Sequence, residues 1–301
     1  MAQRSYNIKD VYKEIFTIND YFEEETNGTL IVKNNYKSIH DYCGSWRDSR
    51  KDNCHNYIQL AICGFIYLLK TLKDMPGLEY DKLAEYAILW LIYKLDAAPN
   101  KCGIELNEFY TKYIEKNSYY NNIINGYDNM TYKDIINKKK ELMNMNISEI
   151  SKFNTLFYIL FFSYYLSHVE YPYCVQFPLY PISFSNKFNE LNEDSKNIEG
   201  SLYTQILSTL SNDYNNLINK FGNDESCDFP TISPVKTSLS SSIASKLIPG
   251  LSTFAIPAFL GISYKTIYKK TIKKSKEENE TKYMIRRLTI IPGTIIMIDI
   301  C

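Results

Sequence analysis

The chain has 301 residues, with 34 basic and 34 acidic side chains and 45% apolar residues. That apolar share supports a buried core and excludes a disordered chain, while the lack of a basic surplus excludes a generic nucleic-acid binder. Eleven Gly and ten Pro beside 27 Tyr favour long helices over turn-rich sandwiches, and three His leave little room for a multi-histidine metal centre.

MAQRSYNIKDVYKEIF, at the start, carries charges throughout and has no apolar core of a secretory signal. Val11–Glu24 is predicted as the first helix. Asn53–Lys73 follows, with Tyr57, Leu60, Ala61, Gly64, Leu68 and Leu72 near a 3.6-residue period. Met75-Pro76-Gly77 ends it, because Pro cannot continue a helix and Gly supplies the cap. Further helices are predicted over Tyr80–Leu95, Leu106–Asn117, Tyr132–Met145, Ser148–His168 and Leu202–Phe221. Thr131 with Asp134, and Ser148 with Ser151, are candidate N-terminal caps. Pro172, Pro178 and Pro181 predict an extended stretch. Phe153–Val169 has no charged residue but is only 17 residues long; it reads as a central helix of a core rather than a membrane span. Trp90 reads as a core aromatic and Trp46 as a turn residue.

Charge is balanced in total but not along the chain. Residues 1–238 hold 24 basic and 30 acidic groups, whereas residues 265–301 hold nine basic and four acidic. Between them, Leu239–Tyr264 carries one charge, Lys246. As a helix, Ile243–Tyr264 is roughly 33 Å long, against about 30 Å for a bilayer core. Pro249, Gly250, Pro257 and Gly261 fit a membrane helix better than a soluble one. Seven Lys within Lys265–Lys282 then place the tail in the cytosol and the N-terminal region across the membrane. The predicted organisation is mainly α: a helical, cysteine-containing ectodomain over residues 1–223, a Ser/Pro-rich stalk over 224–242, a single transmembrane helix over 243–264 and a basic tail over 265–301.

Six of the seven cysteines precede the span: Cys43, Cys54, Cys63, Cys102, Cys174 and Cys227. An even number on the non-cytosolic side suits up to three disulfides, and spacing does not choose among the pairings. Cys63, inside LAICGFIYLL, also fits a buried free thiol. A zinc site from Cys43, Cys54 and His55 lacks the required ligand spacing. The chain has no H-E-x-x-H, P-loop, G-x-S-x-G or G-x-G-x-x-G pattern. No catalytic residue, cofactor, metal, small-molecule substrate or nucleic acid is therefore expected.

Five segments run in a family-specific order: LAEYAILWLIYKL (83–95), LNEFYTKYIEKN (106–117), YKDIINKKKELMNMNISEISKFNTLF (132–157), EGSLYTQILSTLSNDYNNL (199–217) and SSSIASKLIPGLSTFAIPAFLGISYK (240–265). Over about residues 53–265 the chain closely resembles the Plasmodium interspersed repeat (PIR) family of malaria-parasite variant antigens. The resemblance implies a helical ectodomain on one C-terminal membrane helix with a short cytoplasmic tail. It implies a protein exported to or displayed on the infected red cell, in immune evasion or adhesion, with a host-cell surface or immune protein as ligand. An organising or trafficking role on internal parasite or host-cell membranes is the alternative. It implies no enzymatic activity and no cleavable signal. Cys43, Cys54 and Cys63 fall where the family's N-terminal cysteines lie, which suits a Cys43–Cys54 or a Cys54–Cys63 bridge without selecting either. The tail departs from the family pattern, because Leu288–Cys301 (LTIIPGTIIMIDIC) is apolar and β-branched where relatives stay basic. It is too short for a second span.

Overall fold

The computed structural model describes residues 6–19, 21–24, 30–32, 39, 41–42, 53–98, 102–124, 128–166, 177–221 and 229–236. The predicted span, the tail, Cys43, Cys174, Cys227, Trp46 and His168 lie outside them. The described residues form a helical domain with one two-stranded sheet.

Helix α1 (Ile8–Asn19) opens under an Asn7 cap, whose side chain accepts from the Lys9 amide at 3.2 Å. Val11, Tyr12, Ile15 and Phe16 repeat at three- and four-residue steps and are buried, so one face of the helix docks on the core. The helix stops earlier than the predicted Glu24. Lys94, itself buried, donates from Nζ to the Asn19 carbonyl at 2.9 Å and so satisfies a helix C-terminus. The chain then enters strand β1 (Phe22–Glu24), paired antiparallel with β2 (Leu30–Val32) in the register Phe22↔Val32 and Glu24↔Leu30. Phe22 sets its ring edge-on to Tyr57, with centroids 4.9 Å apart, and lies under the Lys94 ammonium at 4.8 Å.

Helices α2 (Asn53–Lys73) and α3 (Tyr80–Asp96) form an antiparallel pair, each close to its predicted bounds. Tyr57 at one end donates to the Lys94 carbonyl at 2.9 Å, and Lys73 at the other donates to Tyr80 Oη at 2.8 Å. Gly77 takes φ 80° in the connection, where a side chain would be strained. The pair approaches closely at Gly64, where an added Cβ would lie 2.6 Å from Trp90 Cη2. Trp90 is fully buried, as its core assignment expected.

Helix α4 (Leu106–Phe109) continues into a π-helical turn at Tyr110–Glu115. Thr131 and Asp134 form a reciprocal capping box on α5 (Tyr132–Asn137), as predicted. The single helix expected over Tyr132–Met145 is interrupted, because Lys139 leaves helical geometry (φ −132°, ψ 34°) before α6 (Lys140–Met143). The expected cap at Ser148 is replaced by Asn146, which accepts from the Ser148 amide at 2.8 Å and starts α7 (Ile147–Ile150) one residue earlier. A 3₁₀ turn at Ser151–Phe153 leads into α8 (Asn154–Leu166).

Helix α8 is the centre of the domain, packed by α1, α3, α9 (Leu179–Asn192) and α10 (Leu202–Phe221). Ten of its thirteen residues are buried. That burial within protein explains the charge-free stretch from Phe153. Among the described residues no helix is long and apolar enough to cross a membrane. The extended stretch predicted around Pro178 and Pro181 is instead the start of α9. Pro178 is its N-cap and Pro181 lies in its first turn, where no intrahelical partner exists for the missing N–H. Residues 229–236 have no regular structure and lie along the domain. Tyr214 donates to the Pro230 carbonyl at 3.1 Å, Asn192 Nδ2 to the Pro234 carbonyl at 3.0 Å, and the Lys236 amide to Asn192 Oδ1 at 3.0 Å.

Candidate functional site

Two acidic side chains are buried where α3 meets α10, and their surroundings differ. Asp213 falls on the apolar stripe of α10 formed by Ile206, Leu210 and Leu217. Its Oδ2 accepts from Tyr12 Oη at 2.7 Å and from Tyr86 Oη at 2.9 Å, so α1 and α3 both close on one carboxyl. Tyr164 of α8 stacks on Tyr12 with ring centroids 4.9 Å apart and donates to the Asp213 carbonyl at 2.8 Å. Four helices thus meet at one polar knot. Burial raises the Asp213 carboxyl to about 7, against the opposing pull of the two tyrosine hydroxyls and Lys82. Burial next to that carboxyl also pushes the Tyr12 and Tyr86 hydroxyls upward.

Glu85, next to Tyr86 on α3, is also almost fully buried, at 1% exposure. Its Oε2 pairs with Lys82 at 3.1 Å and with Lys139 at 3.9 Å. Its Oε1 is buried without a hydrogen-bond partner among the described residues. Glu85 is one of the residues around a shallow cleft of about 260 Å³ between α3 and α10, with Asp81, Ser208 and Asn212. Lys82 crosses the cleft to Thr209 Oγ1 at 2.5 Å, and Lys139 reaches Gln205 Oε1 at 3.3 Å. Lys139, the residue at which the backbone leaves helical geometry, is the one whose ammonium reaches Glu85.

The cysteines do not gather at this cleft. Cys63 is fully buried in α2 and Cys102 lies half-buried beyond the end of α3, and both are disulfide-bonded. The reading of Cys63 as a free thiol is thereby corrected: an apolar helix around a sulfur marks burial, not its redox state. Cys54 belongs to α2, while its side chain, that of His55, and Cys43, Cys174 and Cys227 lie outside the described residues. Among the described residues no three His, Cys, Asp or Glu side chains gather as a metal site.

A model of the Plasmodium variant antigen protein family Cir/Yir/Bir matches residues 12–265, most of the chain. The chain belongs to the PIR family of Plasmodium variant antigens. The solved structure of a Plasmodium PIR protein ectodomain is 31% identical, with a TM-score of 0.49; the match covers 77% of this chain and 100% of that one. No curated protein matches the chain. The PIR motifs account for the helices around the cleft, since α3, α5 and α10 contain the segments that carry the likeness. Sequence reasoning passed over both Asp213 and Glu85. The signal for Asp213 was its place between Leu210 and Leu217 on an otherwise apolar stripe.

Proposed function

We propose that this PIR protein is a membrane-anchored variant surface antigen, exported to or displayed on the infected red cell, where its helical domain serves immune evasion or adhesion. The observation that carries the reading is family membership over residues 12–265. Two features support it. The charge-poor stretch Ile243–Tyr264, flanked by seven Lys within Lys265–Lys282, has the length and charge asymmetry of a single span with a cytosolic tail. The helical domain preceding it holds half-cystines at Cys63 and Cys102, which suits an oxidising, non-cytosolic side. On this reading the partner is a host-cell surface or immune protein.

Protease treatment of intact infected cells tests it. Display requires the N-terminal region to be cleaved on intact cells. Protection there, with cleavage in permeabilised controls, overturns display and leaves the organising role on internal membranes. Release of the chain from membranes by alkaline carbonate would overturn the anchor itself.

A further inference from the structure

We propose that the chain carries a proteolytic cleavage site on the carboxyl side of Lys236, and that the Asn192 side-chain amide is the latch that protects it. The latch belongs to the helical domain and stands apart from where the chain is displayed.

Residues 229–236 (FPTISPVK) run without regular structure along α9 and α10. Pro230 and Pro234 lack the N–H of a strand and bias Phe229 and Ser233 towards extended backbone. Among the described residues every lysine except Lys236 lies in a helix or a turn. A protease binds its substrate as an extended strand, so a helical site must first unfold locally to be cut. Lys236 is exposed and already non-helical. A trypsin-like enzyme, which takes a basic side chain into its specificity pocket, can therefore reach it without unfolding a helix.

Asn192 stands in the way. This side chain at the end of α9 is 2% exposed and grips the backbone on both sides of Val235. Its Nδ2 donates to the Pro234 carbonyl at 3.0 Å, and its Oδ1 accepts from the Lys236 amide at 3.0 Å. A trypsin-like enzyme pairs with the same two groups, the N–H of the residue before the scissile bond and the carbonyl two residues earlier. The Lys236 ammonium, which must enter the enzyme's pocket, is paired with Glu193 instead. Asn197 Nδ2 donates to Asn192 Oδ1 at 2.9 Å and to the Asn192 carbonyl at 3.0 Å, which fixes the amide in this orientation. Latch and protease thus compete for the same backbone atoms, and cleavage waits for the segment to lift. Lifting is local, because Tyr214 still holds the Pro230 carbonyl at 3.1 Å and the helices stay packed. In the cut, water adds across the peptide bond, leaving a carboxylate on Lys236 and a free amine on the chain beyond. On the reading that residues 243–264 anchor the chain, the cut frees the helical domain; the latch does not depend on that reading.

Brief trypsin treatment of the full chain in detergent micelles tests this, with mass spectrometry of the fragments that end at Lys236. The wild-type chain should be cut there about tenfold more slowly, or slower still, than a peptide of residues 229–240. Asn192→Asp keeps the acceptor for the Lys236 amide but turns an oxygen towards the Pro234 carbonyl. It should raise the rate about tenfold, with Asn192→Ala at least matching it. Glu193→Gln should raise the rate only about twofold, because that ion pair is exposed. Cuts within the helices should keep the wild-type rate in all three variants. A wild-type chain cut as fast as the peptide overturns the proposal, and so do unchanged rates in both Asn192 variants. Hydrogen exchange on the unsubstituted chain decides the case should those variants unfold. The latch requires the Lys236 amide to exchange about tenfold more slowly than in the peptide, and exchange at the peptide's rate overturns it.

Discussion

Asp213 and Glu85 are two buried carboxylates at the junction of the same two helices, α3 and α10, with opposite surroundings. Asp213 is enclosed by rings: Tyr12 and Tyr86 donate to it, and Tyr164 donates to its own carbonyl. Glu85 has one oxygen engaged by two lysines and the other without a partner among the described residues. Burial alone therefore does not make two carboxylates equivalent. The distinction lies in which lone pairs the protein satisfies. A fully satisfied buried acid ties elements together, whereas a half-satisfied one leaves a costly unpaired oxygen.

The largest effect that would break this contrast comes from removing the Asp213 carboxylate. Asp213→Leu leaves the buried Tyr12 hydroxyl without its acceptor and Tyr86 with only the Tyr6 hydroxyl, and stability should fall by about 3–5 kcal/mol. Urea unfolding would measure it, and a loss below about 1 kcal/mol would mean that the four-helix knot is not a structural tie.

The next effect is on pH. Asp213 has its folded value raised from 3.8 to about 7, so the native state holds a proton that the unfolded chain has lost across that window. Its contribution is thus complete at acidic pH and is lost as pH rises towards 7, by roughly a few kcal/mol in total. Asp128, Asp134, Glu149 and Asp194 have lowered values, from lysine partners or hydrogen bonds, and act in the opposite direction only below about pH 4. Thermal midpoints should therefore peak near pH 4–5 and decline to pH 7.5. Asp213→Asn should flatten that decline; a slope that survives the substitution assigns it to another group.

Tyr86→Phe is milder, because Tyr12 still donates to the carboxyl. A loss of about 1 kcal/mol is expected, together with a further upward displacement of the pH decline as one stabilising hydroxyl disappears. The smallest effect belongs to Glu85→Gln. Lys82 keeps 34% side-chain exposure and recovers water when its partner goes, so stability should change by less than about 1 kcal/mol. A large loss there would make Glu85 a structural acid like Asp213 and erase the contrast.

Much of the scaffold was legible before any coordinates. The bounds of α2 and α10 follow from apolar spacing, Pro76-Gly77 ends the first, and Thr131 and Asp134 announced the start of α5. The misses have local causes. α1 was read through Glu24 because the apolar spacing of Tyr21 and Phe22 continues helical periodicity. The competing signal was Asn27-Gly28, a pair that favours hairpins, ahead of the β-prone Leu30-Ile31-Val32. Around α9, prolines were read as breakers when two of them sit at its start, where proline is tolerated. The site was harder to see. Glu85 and Asp213 are 128 positions apart; Asp213 shows only in its place on an apolar stripe, and Glu85, in Ala-Glu-Tyr, looks like an ordinary surface acid until the fold buries it. Lys139, which reaches Glu85, sits at a break in helical geometry that a Lys-Lys-Lys run does not announce.

The bond from Tyr12 to Asp213 spans 201 positions of chain, joining the first and last helices among the described residues. On the ribosome, α1 has no acceptor for its buried hydroxyl until α10 has emerged. Until then the Tyr12 hydroxyl lacks its carboxylate, although α1 already has α8 to pack on. A truncation ahead of Leu202 removes that clasp, and with it the acceptor that holds the Tyr12 and Tyr86 hydroxyls.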